Sequence, residues 1–105
     1  MEEIIWSKLA LIDLDRIHDF IALDSPFYAR KTVEQILKRV EILRRYPESG
    51  RTVPEYKRKD IRELIEGNYR LFYRIRKQKI SIVRIHHSAQ IIRNKRRLAK
   101  KPKTH

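Results

Sequence analysis

The spacing of apolar residues shifts along this chain, and each shift marks an element. Glu3-Ile4-Ile5-Trp6 is a short apolar run that a strand explains, and Ser7 behind it can cap a helix by accepting from an orphan backbone N–H. From residue 8 to about residue 23, Ala10, Leu14, Ile17 and Ile21 recur at steps of 4, 3 and 4, with Asp13, Asp15, Arg16 and Asp19 between them. That spacing predicts an amphipathic helix. Ser25-Pro26 then reads as an N-cap with proline at the first helical position. Ala29, Val33, Ile36, Val40 and Leu43 follow at steps of 4, 3, 4 and 3, until Tyr46-Pro47 stops the run. This second helix is expected to be roughly 20 residues, or about 30 Å, long. Asp24-Ser25 leaves only a tight connection, so the two helices fold back as an antiparallel hairpin.

Residues 47–55 hold two of the four prolines and one of the two glycines, which breaks both periodicities and predicts a loop. Ile61-Arg62-Glu63-Leu64-Ile65 is a strand candidate and Glu66-Gly67-Asn68 a turn. Residues 69–76 and 79–87 alternate with period 2 around Lys77-Gln78, the pattern of a β-hairpin. With a two-residue loop, Tyr69, Leu71, Tyr73 and Ile75 share the core face with Ile80, Ile82, Arg84 and His86; Arg70, Phe72, Arg74, Ser81, Val83, Ile85 and His87 take the other. The expected fold is α+β: a mostly antiparallel four-stranded sheet, including the N-terminal strand, packed on a helical hairpin. At 105 residues the chain suits one domain, taken as residues 1–92, with a basic tail over residues 93–105.

Charge changes the picture more than composition does. The net charge is +13, but residues 1–50 carry 8 Lys/Arg against 9 Asp/Glu, whereas residues 51–105 carry 18 against 4. A half-molecule at +14 suits a polyanion or an acidic protein partner, because neutralising phosphates releases counterions and the field draws an opposite charge in. The absence of cysteine excludes a disulfide framework, a thiolate metal site and a thiol nucleophile. The N-terminal residues form neither a signal peptide nor a membrane span, so a cytoplasmic protein with no membrane association is expected.

Several stretches resemble the RelE/ParE toxins of bacterial toxin–antitoxin systems in order and spacing. They are Asp13-Leu14-Asp15-Arg16-Ile17, Asp24-Ser25-Pro26, Pro47-Glu48-Ser49-Gly50-Arg51 with Pro54-Glu55, Arg62-Glu63-Leu64, Tyr69-Arg70-Leu71-Phe72-Tyr73-Arg74-Ile75 and His86-His87-Ser88. The resemblance implies a growth-arresting toxin restrained by an acidic antitoxin, acting either on DNA gyrase or as a ribosome-dependent endoribonuclease on mRNA. A non-toxic basic nucleic-acid-binding adaptor is a third reading. The long second helix and the absence of any aromatic residue after Tyr73, where some nuclease members carry a tyrosine, lean towards gyrase.

Metal-independent RNA cleavage needs a base, cations for the phosphorane and an acid for the leaving oxygen. By resemblance to the nuclease members, Glu55 is the candidate base, Arg70 the phosphate clamp, and His86 or His87 the acid. Arg51, Arg62, Arg74 and, in the tail, Arg93, Lys95, Arg96 and Arg97 are candidates for binding RNA or a partner. Each has a plainer reading. Glu55 could pair with Arg51 or Lys57, Arg70 and Arg74 could be the polar side of an exposed strand, and only one of two adjacent histidines can face a given side. No cofactor or metal is implied, since an adjacent His-His pair on a strand cannot chelate from one face and no Gly-rich phosphate loop is present.

Overall fold

The computed structural model describes residues 2–56 and 58–88, so Arg93, Lys95, Arg96 and Arg97 lie outside the described residues. The chain runs β1 (Glu3–Trp6), α1 (Lys8–Ala22), α2 (Pro26–Glu41), a 3₁₀ turn (Ile42–Arg44), β2 (Arg51–Thr52), β3 (Ile61–Glu66), β4 (Tyr69–Arg76) and β5 (Lys79–His87). Both helix starts form as their sequences dictate: Ser7 Oγ accepts from the Ala10 N–H at 3.0 Å and Ser25 Oγ from the Tyr28 N–H at 3.1 Å, with Pro26 just inside α2. The α-helical part of the second helix is 16 residues, shorter than expected, because the chain tightens into 3₁₀ geometry ahead of Pro47. Helix length therefore carries no argument about function.

The strands form one mixed sheet in the order β1-β5-β4-β3-β2, with five strands rather than the expected four. The additional strand, Arg51–Thr52, pairs antiparallel with Arg62 and Glu63; a strand of two residues is too short to show alternation. β1 lies parallel to β5, from Glu3 opposite Lys79 to Trp6 opposite Ile82, and every other pairing is antiparallel. Both helices cover one face. There Ala10, Ile36, Val40 and Leu43 pack on Leu64, Leu71, Tyr73, Ile80, Ile82 and Ile85.

The β4–β5 turn is Lys77-Gln78 as expected, with both residues at positive φ, 35° and 66°. The expected faces hold up to Ile82 and then invert. Phe72 sits opposite Arg84 while Tyr73 sits opposite Ile82, so Val83 is an extra residue in β5 and the strand is bulged. Beyond the bulge Ile85 and His87 turn to the helix side, and Arg84 and His86, expected in the core, turn to the outer face.

The bulge has fixed partners on α1. Trp6 ends the β1–β5 pairing, and past it Ser7 Oγ donates to the Val83 carbonyl at 3.0 Å. Asp13, buried on the apolar stripe of α1, accepts from the Ile85 N–H at 2.9 Å and from Arg84 Nε and Nη2 at 2.8 and 3.1 Å. The backbone groups that the bulge leaves at the β5 edge are thereby satisfied from the helix.

Asp13→Ala removes the acceptor from a buried N–H and strands the Arg84 charge, which solvent partly screens. Urea unfolding should show a loss of about 2 kcal/mol, while Asp15→Ala, on the exposed side of the same helix, should change stability by less than about 0.5 kcal/mol.

Candidate functional site

The outer face of the sheet is not bare. After β2 the chain folds over it, and Val53, Phe72 and Ile61 make a second small core beneath the segment. This covering changes the environment of the charged residues around it, because ion pairs that would be wet on an open sheet are shielded here.

Four of those residues alternate in sign. Arg51 Nε donates to Glu63 Oε2 at 2.5 Å, Arg70 Nε donates to Glu63 Oε1, and Arg70 Nη1 and Nη2 donate to Glu55 Oε2 and Oε1 at 3.3 Å each. The side chains of Glu63, Arg70, Glu55 and Arg51 are 0, 9, 17 and 63 % exposed, so the chain of charges is sealed at its centre, partly covered at its Glu55 end and open at its Arg51 end. Two cations and two carboxylates cancel. Burial would pull the Arg70 pKa down, but the hydrogen bonds of Glu63 and Glu55 outweigh it and hold the guanidinium more firmly charged than an ordinary arginine. The Arg70 guanidinium also lies 5.1 Å from the centre of the Phe72 ring.

His86 sits opposite Arg70 across the β4–β5 pairing and meets the edge of Phe72 at 5.5 Å between ring centres. Burial first, then the neighbouring Arg84 guanidinium, push its pKa below the ordinary 6.5, with Arg70 adding to the push and Asp13 opposing it. At neutral pH the imidazole is therefore uncharged, the wrong state for donating a proton to a leaving oxygen.

Of the residues expected in a site, Glu55, Arg70 and Arg51 meet in one ion cluster and His86 stands beside it. The others are elsewhere. His87 points to the helix side, edge-on to Tyr69 at 5.4 Å. Arg62 also faces that side, where Nη1 donates to the carbonyls of Gly50 and Glu48 at 2.8 and 3.4 Å and ties down the loop. Arg74 shares the face of Arg70 but lies beyond Phe72, with Nε 3.6 Å from Asp60, whose carboxylate also binds Arg58. Glu55, for which Arg51 and Lys57 were the expected partners, pairs with Arg70, and Lys57 lies outside the described residues.

Two members of this arrangement carry no role in the sequence reading. Glu63, the centre of the ion cluster, sits in a strand whose alternation marks its face but not that the face is covered. Asp13 was legible: it follows Ala10 by 3 and precedes Ile17 by 4, so a carboxylate lies on the buried stripe of α1. Among the described residues no group of three His, Asp or Glu is placed to hold a metal ion.

Residues 4–92 match the sequence model of the ParE toxin of type II toxin–antitoxin systems, parDE. The chain is 32 % identical over 92 residues to Toxin RelE2 of Caulobacter vibrioides, covering 87 % of this chain and 100 % of that protein. Among solved structures it is similar to the chromosomal ParDE toxin–antitoxin system from P. aeruginosa, with a TM-score of 0.70 and 29 % identity over 83 % of this chain and 96 % of that one. A RelB–RelE antitoxin–toxin complex from Methanococcus jannaschii shares the fold, with a TM-score of 0.55 at 16 % identity over 86 % of this chain and 96 % of that one.

The lowered His86 pKa has a definite sign in stability. The unfolded chain takes up the proton near pH 6.5 while the folded one resists it, so this contribution is whole above that value and is lost as pH falls towards the folded pKa. Denaturant unfolding of wild type and His86→Gln as a function of pH should show the wild type losing more stability below pH 6.5; parallel curves would place the titration elsewhere.

Proposed function

The chain belongs to the ParE toxin family of type II toxin–antitoxin systems, and from that premise we propose that it arrests growth by binding DNA gyrase rather than by cutting RNA. The observation that carries this reading is the state of Arg70. A phosphate clamp has to offer an uncompensated cation in the free toxin, whereas here all three donor nitrogens of this guanidinium face carboxylates, those of Glu63 and Glu55. The candidate base and the candidate clamp are each other's partners, and the nearby histidine is neutral. No aromatic residue follows Tyr73. A protein that acts by occupying a surface needs none of these groups to transfer protons.

An acidic antitoxin restrains the toxin in this reading. The toxin–antitoxin complexes among its structural relatives support such a partner, and the +14 half of the chain supports its charge. Ribosome-dependent RNA cleavage is the second reading, and what favours it is that Glu55, Arg70 and His86 share one face of the sheet.

Purified full-length protein should stop DNA supercoiling by gyrase at near-stoichiometric amounts and leave ribosome-bound mRNA uncut on primer extension. Discrete cuts with supercoiling intact would reverse the assignment. His86→Ala should keep growth arrest within a few-fold, whereas loss of a general acid would cost roughly 10² to 10⁴-fold.

A further inference from the structure

The two carboxylates on Arg70 differ in kind. Glu63 holds Nε from inside β3, sealed from solvent and tied through its other oxygen to Arg51. Glu55 holds the outer edge of the guanidinium from the turn that follows β2. Its two oxygens face Nη1 and Nη2 in the two-point arrangement that suits a planar carboxylate, but both contacts are 3.3 Å. Strong guanidinium–carboxylate pairs close to about 2.7–2.9 Å, so Glu55 has the right shape and a loose grip. It is also the more exposed of the two, at 17 % against 0 %.

Charge sets what can follow if the turn lifts. With Glu55 in place the cluster is neutral; without it, Arg51 and Arg70 face one carboxylate, and a positive charge is left in a place that excludes most water. An unpaired charge there is unfavourable, so departure of Glu55 is coupled to the arrival of another monoanion with two adjacent oxygens. The Phe72 ring beside the guanidinium forms a wall next to this fork.

We infer that the outer edge of Arg70 is a carboxylate-receiving site in which Glu55 is the resident occupant, and that an Asp or Glu side chain of the acidic antitoxin takes its place in the complex. A carboxylate is favoured over a phosphodiester because the resident is itself a planar carboxylate, seated on both Nη atoms. Naming the antitoxin as donor rests on the reading in the preceding subsection; the site rests on geometry alone, and the two are tested separately.

The site is tested with full-length wild type, Glu55→Ala and Glu55→Gln, titrated with sodium acetate or dimethyl phosphate at constant ionic strength and followed by NMR of the arginine Nε–H and Phe72 ring signals. Glu55→Ala should bind acetate at least tenfold more tightly than wild type, with shifts centred on Arg70 and Phe72, and Glu55→Gln should gain in the same direction. Equal affinities in all three proteins, or shifts centred on Arg58 and Arg74, would overturn the site. A tenfold preference for dimethyl phosphate over acetate would make it a nucleic-acid clamp and overturn the carboxylate assignment. The donor is tested by the affinity of the co-encoded antitoxin, which should be at least tenfold higher for Glu55→Ala because no resident has to leave. An unchanged affinity alongside tighter acetate binding would overturn the antitoxin's role and leave the site standing.

Discussion

A carboxylate sealed from water has to be given cations, and Glu63, with no side-chain exposure, takes Arg51 on one oxygen and Arg70 on the other. Those two partners come from the strands on either side of β3, so satisfying one side chain draws β2, β3 and β4 together at their outer face. Arg51 belongs to a strand of only two residues, too short to persist on its ladder bonds alone; its ion pair with Glu63 lies directly across the pairing. From β2 the chain continues over the sheet, where Val53 closes on Phe72 and Glu55 reaches Arg70. The electrostatics of the face, and with them the question of what this toxin can do chemically, descend from that buried carboxylate.

Asp13 plays the matching part on the other edge of the sheet. Because β1 ends at Trp6, the far half of β5 has no strand beside it, and the helix supplies a hydroxyl and a carboxylate in place of a ladder. The bulge at Val83 then decides which histidine joins which side. Without it His86 would lie in the helix-side core and His87 beside Arg70; with it the order is reversed, and His86 is pressed between Arg84, Arg70 and Phe72. A one-residue irregularity thus settles the identity of the histidine on the candidate face, and burial then keeps it neutral.

Much of the fold was legible in the sequence because it follows from period and punctuation. The serine caps, the tight Asp24-Ser25 connection and the two-residue hairpin loop all fall where side-chain chemistry requires them. The bulge had a signal as well: the isoleucines step by two from Ile80 to Ile82 and then by three to Ile85, with Val83 next to Ile82, a phase change that strict alternation overlooks. The fifth strand and the cover over Phe72 had none, since both arise from pairing between segments that carry no pattern of their own. The site suffered most from this. Glu55, Arg70 and the His86-His87 pair could be singled out by the family resemblance, but that Arg70 and Glu55 would cancel each other depends on a long-range closure around Glu63, which no local spacing encodes.

On the proposed function, the Arg70–Glu63 pair builds the outer face and performs no chemistry on RNA. A buried ion pair of this kind can be exchanged for apolar residues of similar volume with little loss of stability, and sometimes a gain. The most direct measurement is therefore growth arrest by the double variant Glu63→Met with Arg70→Leu, with its fold verified by circular dichroism and cooperative unfolding. The expected result is a folded protein that still arrests growth. A folded double variant that cells tolerate without any loss of growth would contradict it.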